Sequence, residues 1–425
     1  MTDTFITSRP GLTKRHAAER RFRLYGQLAI AIALGFLVIM IGVIGYNSIG
    51  AFSQTQIALS VRLDKSVIDP DGTRDSAIIR RANYGSLIKA ALRHTFHNVE
   101  GRRNKRKLYG LVSSEAEFTL GRKVGADPDL IGTTQKFWFV ASDDVDMLMD
   151  GNIDTSLPDS SRRVSDMEIG WLKKLRNEGD IKRAVNLSFF TNGDSREPEL
   201  AGILSALMGS ALSLFVCFVL SFPTGIMAAI YLEEFAPRGR WSDIIEININ
   251  NLAAVPSIVF GLLGLAIFLN MFGLPRSTPL VGGMVLALMT LPTIIIASRA
   301  SLRAVPPSIR EAALALGASR VQTTFHQVAP LALPGMLTGT IVGMARALGD
   351  TAPLLMIGMV AFIVDVPTSI LEPATALPVQ VFLWADSPER AFLEKTSAAI
   401  VVLLAFLVLM NLVAILLRKK FEQRF

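Results

Sequence analysis

Arg346 and Asp350 are the two charged residues inside an otherwise apolar stretch of this 425-residue chain, Leu331 to Val364. A charge deep in hydrocarbon is costly and normally faces a bundle interior or a water-filled path. Arginine keeps its proton and presents a planar fork of donors suited to the oxygens of an oxyanion such as phosphate. Asp350 follows four residues later, on the same face of a continuous helix, where it can pair with the guanidinium. A carboxylate repels an anion, so Asp350 reads as the group that holds Arg346 while a passing anion competes for its donors. The alternative is a pair that pins this span to its neighbours. Thr351 offers a hydroxyl to the path, or back-bonds within its own helix. Gly349 and Pro353 suggest a broken helix, whose freed amides favour an anion. Arg299 and Arg303 read as anchors of a helix end at lipid headgroups in preference to anion receivers.

A second constellation precedes that stretch, running from Val305 to Arg320. Pro306 and Pro307 fix the approach, and Ser308 followed by Glu311 has the spacing of a capping box, in which two orphan backbone donors are satisfied reciprocally. Ala312, Ala313, Leu314, Ala315 and Leu316 make a compact surface, and Gly317 can take the left-handed conformation that ends a helix. A second helix is expected from Ser319 until Pro330 returns the chain to the membrane. Such a helix–bend–helix can slot into a cleft on another protein and transmit its movement; the bland reading is a well-capped loop.

The elements that must position these groups follow from composition. Hydrophobic residues make up 51% of the chain and charged residues 19%, against about 25% charged in soluble proteins, and the mean hydropathy is +0.42. This is the profile of a membrane protein. The single Cys217 cannot form an intrachain disulfide and has no partners at zinc-ligand spacing. His94 and His97 lie three apart without an acid or Cys in register, and read as a surface pair. A net charge of +7 is too diffuse to indicate nucleic acid.

Six stretches are long enough to cross a bilayer, which takes about 20 apolar residues. They are Leu28–Ile49, Leu200–Leu232, Ile247–Phe272, Pro279–Ser298, Leu331–Val364 and Ser397–Leu417. Pro334 and Pro353 are candidate dividers of the fifth. Basic residues gather in 1–27 (Arg9, Lys14, Arg15, Arg20, Arg21, Arg23), around Arg299 to Arg320, and in 418–425, whereas the segment after the fifth stretch is acidic. Six crossings with both termini cytoplasmic satisfy this pattern. The first stretch is longer than a signal-peptide core, and reads as a retained anchor.

Residues 50–198 are a different material, with 23 Lys or Arg against 21 Asp or Glu. A segment of this length can bury its own core. Arg74–Thr95 has helical periodicity, Asp166–Asn177 reads as a helix, and Gln135–Ala141 and Ile181–Phe190 read as strands. The fold class expected is therefore an all-α polytopic membrane protein with an inserted extracytoplasmic α+β domain. The basic run Arg102 to Lys107 reads as a solvated face or loop.

Glu311-Ala312-Ala313, with Gly317 six residues and Pro330 nineteen residues after the Glu, resembles the EAA loop of ABC importer permeases. Val255-Pro-Ser-Ile-Val-Phe-Gly-Leu, Thr290-Leu-Pro-Thr, Leu302-Arg-Ala-Val-Pro and Arg346-Ala-Leu-Gly-Asp-Thr-Ala-Pro-Leu-Leu are similar to the PstA-type permeases of phosphate-specific ABC transporters. The resemblance covers roughly residues 200 to 417. It departs from the family pattern at Gln327 and Ala329, at Asp350 where Glu is common, and at Ile296 where many members carry Arg.

The resemblance implies a five-helix permease core over 199–417, with its coupling loop at 299–330, in a bacterial inner membrane. It also implies a PstC-type permease, ATPase subunits and a periplasmic phosphate-binding protein as partners, beside membrane lipid and no nucleic acid. The chain has no G-x-x-x-x-G-K-[ST] run, so it is expected to be no enzyme and to bind no cofactor itself, with ATP-Mg held on partner subunits. A permease for another oxyanion (sulfate, molybdate) is the nearest alternative, and a membrane-anchored sensor a more distant one.

Overall fold

The structure is a computed structural model that describes residues 10–237, 239–360 and 362–421. Arg9 and Arg424 of the basic flanks lie outside the described residues. Among those described, five helices are long and apolar enough to cross a membrane, or six if a sharply bent pair counts as one span.

Helix α1 (Pro10–Ser48) carries the first apolar stretch. It leads into β1 (Ser53–Arg62), the middle strand of a three-stranded antiparallel sheet in the order β2-β1-β3. Strand β2 (Thr134–Val140) pairs from Gln56↔Val140 to Arg62↔Thr134, and β3 (Ile181–Val185) from Ser53↔Val185 to Ile57↔Ile181. Ile57, Leu59 and Val61 of β1 are almost wholly buried. They share a core with Leu87, Ile88 and Leu92 of a covering helix and with Leu120 and Leu175.

The helical segment expected over Arg74–Thr95 is two helices, α2 (Ser76–Arg81) and α3 (Tyr84–Thr95). Asn83 breaks it, because its side chain accepts from Ser86 N (3.0 Å) and caps α3. Helices α4 (Arg102–Tyr109) and α5 (Glu115–Ala126) follow before β2, then α6 (Asp143–Met149) and α7 (Asp166–Asn177), the last with the predicted bounds. The strand expected over Ile181–Phe190 stops at Val185, since Asn186 caps a short helix, Leu187–Thr191.

The second apolar stretch forms α8 (Leu204–Ile230), which ends in a wider π turn at Tyr231–Phe235. The third is not one straight span. It is α9 (Arg240–Ala253) and α10 (Ser257–Gly264, continuing as a π segment to Met271), bent by 100° at Ala254–Pro256. Pro256 has no amide to donate and disfavours helix at the residue before it, so the ladder fails there. Helix α11 (Pro279–Ala304) packs extensively on α8.

Beyond the short α12 (Pro307–Ala315), α13 runs without interruption from Arg320 to Gly349. The expected stop at Pro330 is absent: a π turn at Thr324–Val328 takes up the missing amide and the helix passes on. Pro334 lies inside the helix and does not divide it. The fifth stretch instead ends at Gly349, followed by α14 (Ala352–Met356). Helix α15 (Leu377–Ala385), which no apolar stretch announced, precedes α16 (Phe392–Phe421).

The inserted segment meets the membrane helices at a buried joint. Asp146 on α6, Glu199 before α8, and Glu394 and Lys395 at the start of α16 line one small cavity of about 20 Å³. Lys395 is 6% exposed; its Nζ lies 5.2 Å from the Phe189 ring centroid and has no hydrogen-bond partner among the described residues.

Candidate functional site

Arg346 lies in the last turn of α13 and is exposed, and Asp350 is the residue that ends that helix, with φ −89° and ψ 108°. Among the described residues no ion pair joins them, which corrects the expectation that Asp350 holds Arg346. Asp350 Oδ1 instead accepts from Ser257 Oγ at 3.0 Å. Ser257 is the first residue of α10, just past the bend of the third stretch.

Two chain breaks thus lie side by side, one at Ala254–Pro256 and one at Asp350–Thr351. Close packing of α10 on α14 holds them together: a Cβ on Gly261 would sit 2.7 Å from Pro353 Cα, so only glycine fits. Thr351, half-buried, occupies the second break. Irregular backbone at membrane depth is tolerated where it is packed in protein or lines a wet cavity. Among the described residues the Arg346 guanidinium has no carboxylate partner, while Asp350 is engaged by Ser257 and lies at a helix end.

In the loop over 305–320 the predicted capping box does not form. Pro306 is the cap and Pro307 the first helical residue of α12, so Ser308 is already inside the helix and its side chain makes no cap bond. The reciprocal pair occurs one helix later. Ser319 N donates to Gln322 Oε1 (2.9 Å) and Gln322 N to Ser319 Oγ (3.2 Å), opening α13. Gly317 has φ +88°, and Ala318 N donates to Ala313 O at 3.1 Å, as a left-handed helix end requires.

Glu311 and Ala312 are exposed and Ala313 half-buried, while Leu314 and Leu316 are 46% and 90% exposed, a bare apolar tip. Arg310 fixes the helix from behind. Its Nη2 donates to Glu234 Oε1 (2.7 Å) and to Leu302 O (2.8 Å), and its Nη1 to Val305 O (2.7 Å). Arg299 bonds Glu246 (2.8 Å), and Arg303 Nε bonds Glu233 (2.9 Å). These two arginines are tied to carboxylates on α9 and at the end of α8, which corrects their reading as lipid anchors.

Sequence reasoning missed Ser257 and the Arg310–Glu234 pair. Their partners lie 93 and 76 residues away along the chain, and no local spacing signals either contact.

Residues 221–425 match the sequence family described as binding-protein-dependent transport system inner membrane component. Residues 9–159 match a domain of unknown function (DUF3333). Phosphate transport system permease protein PstA 1 of Mycobacterium tuberculosis is 33% identical over 218 residues, which is 51% of this chain and 70% of that protein. Probable ABC transporter permease protein YqgI of Bacillus subtilis is 30% identical over 209 residues, 47% of this chain and 71% of that protein. Among solved structures, an inward-facing conformation of the MetNI methionine ABC transporter is similar at 17% identity, with a TM-score of 0.42, over 52% of this chain and 95% of that one.

Proposed function

The chain belongs to the PstA-type family of binding-protein-dependent transport permeases, and on that premise we propose that it forms one side of the membrane path of an ATP-driven importer of inorganic phosphate. The observation that carries the substrate reading is the exposed Arg346 at two adjoining helix breaks, with the nearby carboxylate engaged by Ser257. A permanently charged, unpaired fork of donors beside broken helices suits a tetrahedral oxyanion. A PstC-type permease supplies the facing wall, and a phosphate-binding protein delivers the anion from the outer side. Both termini and the coupling loop then lie in the cytoplasm, and residues 50–198 outside.

ATP hydrolysis belongs to partner ATPase subunits. The apolar tip at Leu314 and Leu316, with Glu311, Ala312 and Ala313 of α12, is the surface they grip. Arg310 ties α12 to the end of α8 and to the last carbonyls of α11, so a push on the tip is passed to two membrane helices at once. Nucleotide works by biasing two global states unequally.

Arg346→Gln in the assembled transporter should abolish labelled-phosphate uptake while the protein remains in the membrane at normal level. Uptake that survives this change would leave Arg346 a structural group.

A further inference from the structure

Asp350 is the carboxylate closest in sequence to Arg346, yet it is bonded to Ser257 Oγ at 3.0 Å. The local geometry explains why. Helix α13 ends at Gly349, and the extended backbone of Asp350 (φ −89°, ψ 108°) carries the chain out of the helix toward α14. Ser257 stands at the start of α10, and α10 is held against α14 by the close approach of Gly261 to Pro353. The hydroxyl and the carboxylate therefore come from the two sides of the paired breaks. Any movement that parts α10 from α14 parts them as well.

We propose that Ser257 is a positioning residue that parks Asp350 away from Arg346 while the site is loaded. Separation of the two breaks then releases Asp350 to Arg346, where it displaces the bound oxyanion. The proposal rests on the reading of Arg346 as the anion ligand and adds the release step to it. Two features of the chemistry favour such an exchange. A hydroxyl-to-carboxylate bond is a single contact with one charged partner, whereas a carboxylate on a guanidinium can make two parallel bonds between opposite charges. The carboxylate and an oxyanion also compete for the same fork of donors, so the arrival of one is the departure of the other. No covalent step and no proton transfer is needed.

The test is labelled-phosphate uptake by the assembled transporter in its own membrane, with protein level measured in parallel. Ser257→Ala leaves Asp350 free to occupy Arg346 in the resting state, and uptake should fall about tenfold, the cost of one competing charge-assisted contact. Ser257→Thr, which keeps the hydroxyl, should restore most of the uptake. The discriminating readout is labelled-phosphate binding to the assembled transporter: Ser257→Ala should weaken it, and Ser257→Ala combined with Asp350→Asn should restore binding while uptake stays low, because the displacing carboxylate is gone. A packing or capping role for Ser257 predicts no such recovery. Unchanged uptake in Ser257→Ala, or a double variant that binds phosphate no better than the single, overturns the proposal. Arg346→Gln is run beside them, and full uptake in that variant would instead remove the anion-ligand reading on which the proposal stands.

Discussion

Two clusters of charge, one at each end of the membrane helices, are built on opposite plans. In the loop cluster three arginines are paired with acids: Arg299 bonds Glu246, Arg303 bonds Glu233, and Arg310 bonds Glu234 along with two helix-end carbonyls. In the joint beneath residues 50–198, Asp146, Glu199 and Glu394 surround Lys395, whose Nζ has no hydrogen-bond partner among the described residues. Desolvation explains the contrast. Partly exposed pairs keep enough water to retain charge cheaply, and geometry then fixes the helices that carry them. Groups shut from water resist ionisation instead, and burial lifts the Glu199 carboxyl to about 7 and raises Asp146 as well. The first cluster behaves as a rigid link, the second as a joint whose charge depends on pH.

The comparison breaks most readily at Arg310. Arg310→Ala removes the partner of Glu234 and strips two carbonyls, which should cost roughly 2–3 kcal/mol of local stability. Limited proteolysis between Val305 and Arg320 measures it, and a loop as resistant as the wild type would show that the network is not what holds α12.

The joint responds with the opposite sign. A carboxyl whose pKa is raised on folding binds more protons folded than unfolded. The stability that Glu199 contributes to the joint therefore falls as pH rises from about 4.5 to about 7. Asp146, raised in the same direction, adds to the slope. Glu199 is 8% exposed, and Glu199→Gln should remove most of the fall, strengthening the joint at pH 7.5 by roughly 2–3 kcal/mol. Hydrogen exchange over Asp143–Met149, corrected for intrinsic rates, reads this directly. A slope equal to that of the wild type would mean Glu199 is not the titrating group.

Two smaller effects sharpen the picture of the loop. Gly317→Ala places a Cβ at φ +88° and should cost about 1–2 kcal/mol, seen as faster exchange at the end of α12. Ser319→Ala loses the capping box that opens α13 and should cost about 1 kcal/mol, whereas Ser308→Ala, at the position the sequence suggested, should be nearly silent.

That last pair shows what the sequence does and does not carry. A capping box depends on four neighbouring residues, so its spacing is visible at both Ser308 and Ser319; which one forms is decided by Pro307, which already occupies the first helical position. The helix at Asp166–Asn177 and the left-handed Gly317 are likewise local and were legible. Strand β1 was missed although it is the centre of the sheet, because it follows α1 almost directly and both its partners come 70 or more residues later. Arg346 and Asp350 stood out as intramembrane charges, but the partner of Asp350 did not, since it is a serine from another span.

The central claim is phosphate import through Arg346. It is tested most directly by deleting the gene in its host, restoring it as wild type or Arg346→Gln, and measuring uptake of labelled phosphate from micromolar medium beside sulfate and molybdate. The account predicts that deletion removes phosphate uptake alone, that the wild type restores it and that Arg346→Gln does not. Loss of sulfate or molybdate uptake in place of phosphate, or full restoration by Arg346→Gln, would contradict it.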